Sequence, residues 1–523
     1  MPDTTVNDFL KELDEIIGDK TSMDDRKNCT RELIKAADAL YDSNAIIKQR
    51  QLDGTFRTNI CGDTRIEERP GDKTYDRPVV DLVQQGGTML GIGLLGYTYI
   101  MEKAGLRFRS MAGTSAGAIN TLLLAAIPAS IYREQSIFDP TRNAVKSEML
   151  AYLVANSDFS KFLDRSGFLG RLQLRLVKKI KTISKIMPVI KILAVLLLVG
   201  VSYGMYHLLD KWLFNTNNNL SESAINNYNF IMGTLGILAV LLLVLILIFN
   251  LFKNKMGFNP GDYPYDWMKS ILETEYVNTH TTKKLMDAKA NEKKPISGDV
   301  ELKSDPRLVF ITANLTHNRI VKFPENRKDY WNQLYADEVS PAAYVRASMS
   351  LPFIFYSFIP GDNHVQMPDA KQTVNMLARF VDGGMLSNFP IREFHVPPPA
   401  SPSYPTFGVL LGSPKPEPGQ DSDSIRKKFW SLSVFKYILS FISTFRNFYD
   451  SDFLRTHPEF KMLVKAVDTD QFNSLDFGMD FPTKQALFVE GAKTAIEQLQ
   501  EFSWTDYLKV RMGTEPEKSN QLP

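Results

Sequence analysis

Hydrophobic residues along the chain fall into short apolar runs that are separated by glycine-rich or proline-rich turns. Segments of this length predict strands, and they lie at 79–83, 106–111, 308–315 and 407–413; the second of them alternates loosely between apolar and polar residues. Apolar residues at helical spacing follow the second run at 119–127 and recur at 481–502. Strands that alternate with helices predict an α/β fold with a mainly parallel central sheet and helices on both faces. We expect the fourth run to be the last strand of that sheet.

Two much longer apolar runs interrupt this pattern in the middle of the chain. Residues 192–209 form a run of 18 residues without a fixed charge, and residues 230–252 form a run of 23. A helix needs about 20 mostly apolar residues to cross a bilayer. We therefore predict an inserted transmembrane helical hairpin, and the alternative is a pair of helices buried in a protein core.

Basic residues determine the predicted orientation of this hairpin. Residues 171–191 contain seven Lys or Arg and no acidic residue. Lys253 and Lys255 follow the second run, whereas the loop 210–229 has only Lys211. The positive-inside rule then predicts that both flanks, and with them both chain termini, lie in the cytoplasm. The basic segment fits either an amphipathic helix on anionic headgroups or an extension of the first span.

The bulk composition narrows the class of protein. The 523 residues are 44% hydrophobic and 23% charged, which is a globular composition. With 61 basic and 59 acidic residues, the net charge of +2 gives no reason to expect a nucleic-acid partner. Cys29 and Cys61 match neither a disulfide framework nor a zinc-ligand pattern, so we expect a reducing compartment and no metal. The acidic N-terminus lacks the features of a secretory signal.

One serine is surrounded by small residues in the stretch MAGTSAGAIN (111–120). Ser115 lies between Gly113 and Gly117, and the stretch joins a predicted strand to a predicted helix. The pattern G-x-S-x-G lets a strand turn sharply into a helix and hold a serine hydroxyl out for attack. Ser115 is therefore a candidate nucleophile. The motif alone is equally compatible with a small-residue helix start that packs tightly on a sheet.

The phrase RFVDGGMLSNFP (379–390) contains a candidate partner for this serine. A predicted strand ends at Val381, Asp382 follows, and Gly383 and Gly384 turn the chain. An aspartate beside bare backbone is able to approach a second catalytic group closely. The alternative is an Asp-Gly-Gly turn with a solvated carboxylate.

Upstream of the serine, the glycine-rich loop QGGTMLGIG (85–93) leaves backbone N–H groups exposed at a predicted helix start. It lacks the G-x-x-x-x-G-K-[ST] pattern of a P-loop, and no acidic residue stands out as the ribose partner of a dinucleotide fold. An oxyanion hole beside the serine elbow fits this loop better than a nucleotide site does.

Four motifs therefore follow one another along the chain: QGGTMLGIG, GTSAG, AAYVRASMSLPFIF (342–355), and VDGG with SNFP (381–390). In this order they resemble the patatin-like phospholipases. The resemblance covers about residues 79–390, with the hairpin region as an insertion. It implies a three-layer α/β sandwich and a Ser-Asp dyad in place of a catalytic triad.

The resemblance also implies roles for individual residues. Ser115 would be the nucleophile and Asp382 the base that takes its proton. The backbone amides of Gly86, Gly87 and Thr88 would bind the oxyanion. Thr88 stands where the family usually has a third loop glycine, and apolar residues stand where the family has a basic one. A threonine still supplies an N–H group, so the departure affects the path of the loop more than its role.

The resemblance and the hairpin together predict a membrane-anchored, bacterial-type serine acyl hydrolase. It would cleave ester bonds of phospholipids or lysophospholipids from the bilayer through an acyl-enzyme on Ser115, without metal or cofactor. One alternative is a regulated or catalytically degenerate membrane scaffold or effector. Another is a neutral-lipid hydrolase or acyltransferase with the same dyad. A triad that recruits His395, just past the DGG turn, is a further alternative.

The predicted domain organisation follows from these features. It consists of a helical and polar region at 1–78, a discontinuous catalytic domain at 79–170 and 262–412, the basic helix and hairpin at 171–261, and a helical extension at 413–523. The aromatic segment 429–449 within the extension fits either a core-packing helix or a lipid-facing helix in the membrane interface.

Overall fold

A computed structural model provides the fold of the chain. It describes residues 5–18, 21–68, 74–163, 203, 233–234, 236–238, 241, 257, 259–303, 305–361, 377–412 and 450–513. The chain divides into two compact units. The first contains residues 1–164, 261–352 and 357–523, and the second contains residues 165–260 and 353–356. All the elements named below belong to the first unit.

Helices and strands alternate through the first unit. The helices are α1 Val6–Ile17, α2 Met23–Asp42, α3 Ala45–Leu52, α4 Phe56–Cys61, α5 Gly91–Lys103, α6 Ala116–Ala126, α7 Lys146–Asn156, α8 Asp262–Glu273, α9 Thr282–Ala290, α10 Arg327–Tyr330, α11 Pro341–Ser348, α12 Phe481–Glu501 and α13 Trp504–Arg511. The strands are β1 Thr64–Glu68, β2 Tyr75–Arg77, β3 Val79–Gln84, β4 Arg107–Thr114, β5 Ile296–Ser297, β6 Val300–Glu301, β7 Leu308–Asn314, β8 Arg319–Phe323, β9 Phe380–Asp382, β10 Thr406–Leu411 and β11 Val464–Val467.

The main sheet is mixed, with a parallel centre. Its order is β11-β10-β3-β4-β7-β8, and β9 also pairs with β7. The neighbours from β11 to β7 are parallel, whereas β8 and β9 are antiparallel to β7. Every residue of β4 and of β7 is buried, as expected for strands that are covered on both faces. A second sheet, of order β2-β1-β5-β6, is antiparallel throughout.

Two strands share a single edge of β7. Strand β8 pairs with residues 310–314 of β7 and therefore occupies one edge along that length. Strand β4 pairs with 308–311 and β9 with 312–314, and both overlap the part that β8 covers. Since a strand has only two edges, β4 and β9 lie on the same edge of β7, one after the other. The end of β4 consequently meets the end of β9.

The predicted α/β fold is confirmed, and each predicted strand run corresponds to an observed strand. One expectation was wrong, because the run 407–413 is not the last strand of the sheet. It forms β10, and β11 pairs with its outer edge. Strand β11 has only four residues, VKAV, of which the first and last are buried. Such a short segment carries too little alternation to be recognised from the sequence.

The predicted membrane hairpin falls mostly on residues outside the described part of the chain. Of the runs 192–209 and 230–252, the structure describes Tyr203, residues 233–234 and 236–238, and Leu241, which are helical. Among the described residues, no helix has the length and apolar character needed to span a bilayer. The segments 171–191 and 429–449 also lie outside the described residues.

The C-terminal helix α12 packs against α5 at unusually close range. A Cβ atom added at Gly96 in α5 would overlap the carbonyl of Phe488 in α12. In return, a Cβ added at Gly491 in α12 would overlap the carbonyl of Gly93 in α5. The two helices therefore cross with their backbones in contact, which only glycine permits at these positions.

This crossing predicts a position-specific effect of one methyl group. Gly96→Ala is expected to lower the free energy of unfolding by at least about 2 kcal/mol, because backbone does not yield to an inserted Cβ. Gly93→Ala is the matched control, since its Cβ would meet movable side-chain atoms of Val467 and Leu487 at 3.2 and 3.3 Å. We expect this control to lie within about 1 kcal/mol of the wild type. Denaturant unfolding measures both, and equal effects would contradict the predicted backbone contact.

An ionic cluster joins the two parts of the first unit that precede and follow the second unit in sequence. The ammonium group of Lys146, in α7, lies 2.9 Å from the Glu292 carboxylate. Lys289, in α9, forms an ion pair with the same carboxylate. Burial raises the pKa of Glu292, but the two ammonium groups outweigh it and lower that pKa to about 2. Desolvation lowers the pKa of Lys289 to about 8.

Glu292 should therefore give the protein an acid-sensitive contribution to stability. Its pKa is about 2 in the folded state against an ordinary value of 4.5, so its contribution is complete above pH 4.5 and disappears as the pH falls towards 2. Glu292→Gln is expected to cost about 3 kcal/mol at pH 7 and progressively less below pH 4.5. Urea unfolding at several pH values measures this difference.

Glu301→Gln is a suitable control for this experiment. Glu301 pairs with Lys294 at 3.4 Å, but its side chain is 62% exposed. Exposed pairs of this kind contribute little, so a change within about 0.5 kcal/mol is expected at every pH. A deficit of Glu292→Gln that stays constant with pH would show that the shifted ionisation is not its cause.

Candidate active site

Ser115 occupies a sharp turn between β4 and α6. Strand β4 ends at Thr114 and α6 begins at Ala116, so that Ser115 alone forms the connection. Its backbone has φ 51° and ψ −117°, a conformation that L-residues rarely adopt. Its side chain is almost fully buried. The residue therefore sits at a strained strand-to-helix elbow, at the N-terminal end of a helix that favours negative charge.

The two flanking glycines allow the elbow to form. A Cβ atom added at Gly113 would overlap the backbone of Gly117, and one added at Gly117 would overlap the carbonyl of Gln84. Helix α6 thus begins in direct backbone contact with β4 and with β3. The small residues around Ser115 are explained by these approaches.

The third motif supports the backbone on both sides of the site. Ser348, at the end of α11, accepts a hydrogen bond from the Ser115 N–H through its Oγ at 2.9 Å. Two residues later, the Ser350 carbonyl accepts the Asp382 N–H at 2.9 Å. Arg346 donates to the Ser350 hydroxyl at 2.6 Å and is itself buried. The C-terminal end of α11 and the residues that follow it therefore hold the backbones of Ser115 and Asp382.

Asp382 ends β9 and is buried. Its Oδ1 accepts the Gly384 N–H at 2.7 Å, which orients the carboxylate across the following turn. A Cβ atom added at Gly383 would overlap the carbonyl of Ile311 in β7. The glycines of the DGG turn therefore let the chain fold back tightly against β7.

Register along β7 brings together the strand ends next to which Ser115 and Asp382 lie. Thr114 pairs with Ile311, so Ser115 follows at the level of Thr312. Asp382 pairs with Thr312 itself. Because β4 and β9 share the same edge of β7, the end of β4 that precedes Ser115 lies next to the end of β9 that carries Asp382.

The glycine-rich loop passes directly beside Ser115. A Cβ atom added at Gly86 would lie 3.1 Å from the Ser115 Cβ. However, the Gly86 N–H donates to the Asn388 carbonyl at 3.0 Å, and the Gly86 carbonyl accepts the Asn388 side-chain amide at 3.0 Å. The N–H expected to bind an oxyanion at Gly86 is therefore already engaged, and this residue anchors the loop.

The next two residues of the loop differ from Gly86. Within the described residues, the N–H groups of Gly87 and Thr88 have no hydrogen-bond acceptor. Thr88 has φ 52°, in the left-handed region that favours glycine, and it begins a 3₁₀ turn that leads into α5. The two free N–H groups remain as donors for a ligand.

The comparisons with known proteins identify the family. The family described as "Patatin-like phospholipase" matches residues 82–395 of the chain. The chain belongs to the patatin-like phospholipase family. This family consists of lipid acyl hydrolases, and the matched range contains the elbow, the α11 motif and the DGG turn.

Two individual proteins are similar to this patatin-like chain. The uncharacterised protein YqhO of Bacillus subtilis (strain 168) is 23% identical over 415 residues, which are 79% of this chain and 96% of YqhO. The crystal structure of VipD from Legionella pneumophila matches 85% of this chain and 71% of VipD, with 12% identity and a TM-score of 0.28.

The alternative base His395 lies in an aromatic cluster of the patatin-like domain. Its ring contacts those of Phe453, His457 and Phe460, with centroids 5.4, 4.8 and 5.5 Å away. Burial lowers the pKa of His395. This location gives the ring a packing role.

Metal-binding side chains do not gather at the site. In the part of the chain that the structure describes, no three His, Cys, Asp or Glu residues form a group that could hold a metal ion. The polar groups of the site are instead hydroxyl, carboxylate and backbone amide.

Several residues of the site were not recognised as functional from the sequence. Ser348 belongs to the motif AAYVRASMSLPFIF (342–355), but nothing in its spacing indicates that its hydroxyl accepts the Ser115 N–H. Asn388 was recognised only as part of a turn, although it holds the glycine-rich loop. Asp450, which contacts the Asn388 segment, carries no local sequence signal at all, because its partners precede it by about 60 residues.

The strain at Ser115 leads to a testable difference between two substitutions. Ser115→Gly is expected to be more stable than Ser115→Ala by about 1 kcal/mol, because glycine adopts a positive φ without strain. At Ala112, in the regular part of β4, alanine should be more stabilising than glycine, so Ala112→Gly should destabilise the protein. Denaturant unfolding of the three variants measures both comparisons. A Ser115→Ala variant as stable as Ser115→Gly would exclude strain at the elbow.

Proposed function

We propose that this protein is a membrane-anchored serine acyl hydrolase that cleaves ester bonds of phospholipids or lysophospholipids. Ser115 is the nucleophile and Asp382 is the base. The observation that best supports this proposal is the register of β7, on which the ends of β4 and β9 meet. Membership of the patatin-like family supports the reaction class.

The proposed reaction needs only these two side chains and backbone donors. Asp382 removes the proton of the Ser115 hydroxyl as the serine oxygen bonds to the ester carbonyl carbon. The tetrahedral oxyanion accepts hydrogen bonds from the N–H groups of Gly87 and Thr88. The ester C–O bond then breaks, and the leaving alcohol takes the proton from Asp382. Asp382 then takes a proton from a water molecule as the water oxygen bonds to the acyl carbon. The bond between the acyl carbon and the Ser115 oxygen breaks, Asp382 returns the proton to that oxygen, and the fatty acid leaves.

The buried position of the site fits a substrate that arrives from an apolar phase. Ser115 and Asp382 are 5% and 2% exposed, so that a bound ester is shielded from bulk water. Electrostatic stabilisation of an oxyanion is stronger in such an environment. The apolar runs 192–209 and 230–252 would anchor the domain at the cytoplasmic face of the membrane, where acyl chains are supplied.

The nucleophile assignment is tested by Ser115→Ala. This variant is expected to lose ester hydrolysis by a factor of at least about 1000 while remaining folded, because no acyl-enzyme can form. Mass spectrometry of phospholipids and lysophospholipids incubated with the purified full-length protein measures the products. Ser110→Ala, a buried serine five residues upstream in β4, is the control and should keep the activity.

A fluorophosphonate probe distinguishes the competing functions. The wild type and Ser110→Ala should be labelled, whereas Ser115→Ala should not. A catalytically degenerate scaffold would leave the wild type unlabelled. A wild type that is labelled but releases fatty acid only from neutral lipids would favour the neutral-lipid hydrolase instead. Full hydrolysis by Ser115→Ala would refute the proposed nucleophile.

A further inference from the structure

A buried carboxylate from the C-terminal part of the chain lies beneath the active site. Asp450 is 6% exposed. Its Oδ1 accepts the Ser387 hydroxyl at 2.8 Å, and its Oδ2 accepts the Phe389 N–H at 2.8 Å. One side chain therefore binds the residues on both sides of Asn388 and holds the segment 387–389 in a fixed conformation.

The segment 387–389 contacts both the elbow and the glycine-rich loop. The Ser387 carbonyl accepts the Thr114 hydroxyl at 3.1 Å, next to Ser115. Asn388 exchanges two hydrogen bonds with Gly86, one through each of its carbonyl and amide groups. The same segment follows Asp382 by only a few residues. It is thus the connection through which the nucleophile, the base and the oxyanion loop are held in register.

We propose that Asp450 is a positioning residue for hydrolysis, which acts by fixing the segment 387–389 and, through Asn388, the loop that carries the N–H groups of Gly87 and Thr88. This inference rests on the proposed function for its catalytic consequence. The contact of Asp450 with the segment 387–389, which we call the clamp, is a property of the fold. Asp450 makes no contact with a substrate in this scheme.

An ionised carboxylate suits this position better than any neutral side chain. Two donors, the Ser387 hydroxyl and the Phe389 N–H, converge on Asp450, and a carboxylate accepts one hydrogen bond at each oxygen. An asparagine would turn its carbonyl towards the Phe389 N–H and its NH2 group towards the Ser387 hydroxyl, so that the charge that strengthens both hydrogen bonds would be lost. Burial raises the pKa of Asp450 to about 6, while the hydrogen bonds of residues 387–389 and the charge of Arg392 act in the opposite direction. The carboxylate is therefore charged at neutral pH.

The chain offers a matched control two residues away. Asp452 follows Asp450 in the same segment, and its side chain is 45% exposed and paired with Arg455. Asp452→Asn makes the same chemical change without touching the segment 387–389. Any effect specific to Asp450→Asn therefore reports on the buried clamp.

The experiment compares full-length wild type, Asp450→Asn and Asp452→Asn by two measurements. Hydrogen exchange followed by mass spectrometry is read on the peptide that contains Gly86, whose N–H is bonded to Asn388. Exchange there should become at least about tenfold faster in Asp450→Asn and stay unchanged in Asp452→Asn. For hydrolysis of a lysophospholipid in micelles, kcat should fall at least about tenfold in Asp450→Asn, with KM within about twofold of the wild type.

Each outcome bears on the proposal in a defined way. Unchanged exchange at Gly86, or faster exchange with an unchanged kcat, would overturn it. A wild type without hydrolase activity would count against the proposed function. Exchange at Gly86 would then be the remaining test of whether Asp450 fixes the segment 387–389. Should Asp450→Asn fail to fold, Ser387→Ala removes one of the donors to Asp450. It should accelerate exchange at Gly86 to a smaller extent, and no acceleration would again refute the clamp.

Discussion

The candidate active site depends on the way in which two strands divide one edge of β7. Strand β4 takes the first part of that edge and β9 takes the rest, while β8 occupies the opposite edge. The two strands run towards each other, so that each ends where the other ends. Any shift of register by one residue would move Asp382 to the other face of the sheet and away from Ser115. Hydrogen bonds between backbones thus determine which two strand ends meet.

Close backbone approaches support this arrangement from all sides. Gly113, Gly117 and Gly383 remove the Cβ atoms that would separate the elbow and the DGG turn from their neighbouring strands. The last residue of helix α11 and the residue two positions after it then hold the Ser115 and Asp382 backbones with one hydroxyl and one carbonyl. The strained conformation of Ser115 persists because these surroundings leave it no alternative.

Local features of the site were predictable from the sequence, and long-range ones were not. The elbow is defined by glycines at fixed spacing around Ser115, and the DGG turn is defined in the same way around Asp382, so short motifs were sufficient. The bond between Gly86 and Asn388 depends on a contact between segments about 300 residues apart, and no local pattern reports it. For this reason no motif indicated that the Gly86 N–H, which was expected to bind an oxyanion, donates to the Asn388 carbonyl. Strand β11 escaped recognition because its pairing with β10, and not its composition, makes it a strand.

The order of strands in the main sheet has a consequence for biosynthesis. Strand β3 lies between β4, which follows it closely in the chain, and β10, which begins only at Thr406. Helix α12, which packs on α5, ends only at Glu501. During translation, β3 and β4 therefore leave the ribosome long before β10 and β11, which complete the sheet on the other side of β3. A nascent chain would expose one edge of β3 throughout this interval, and the sheet would be complete only after β11 had been released.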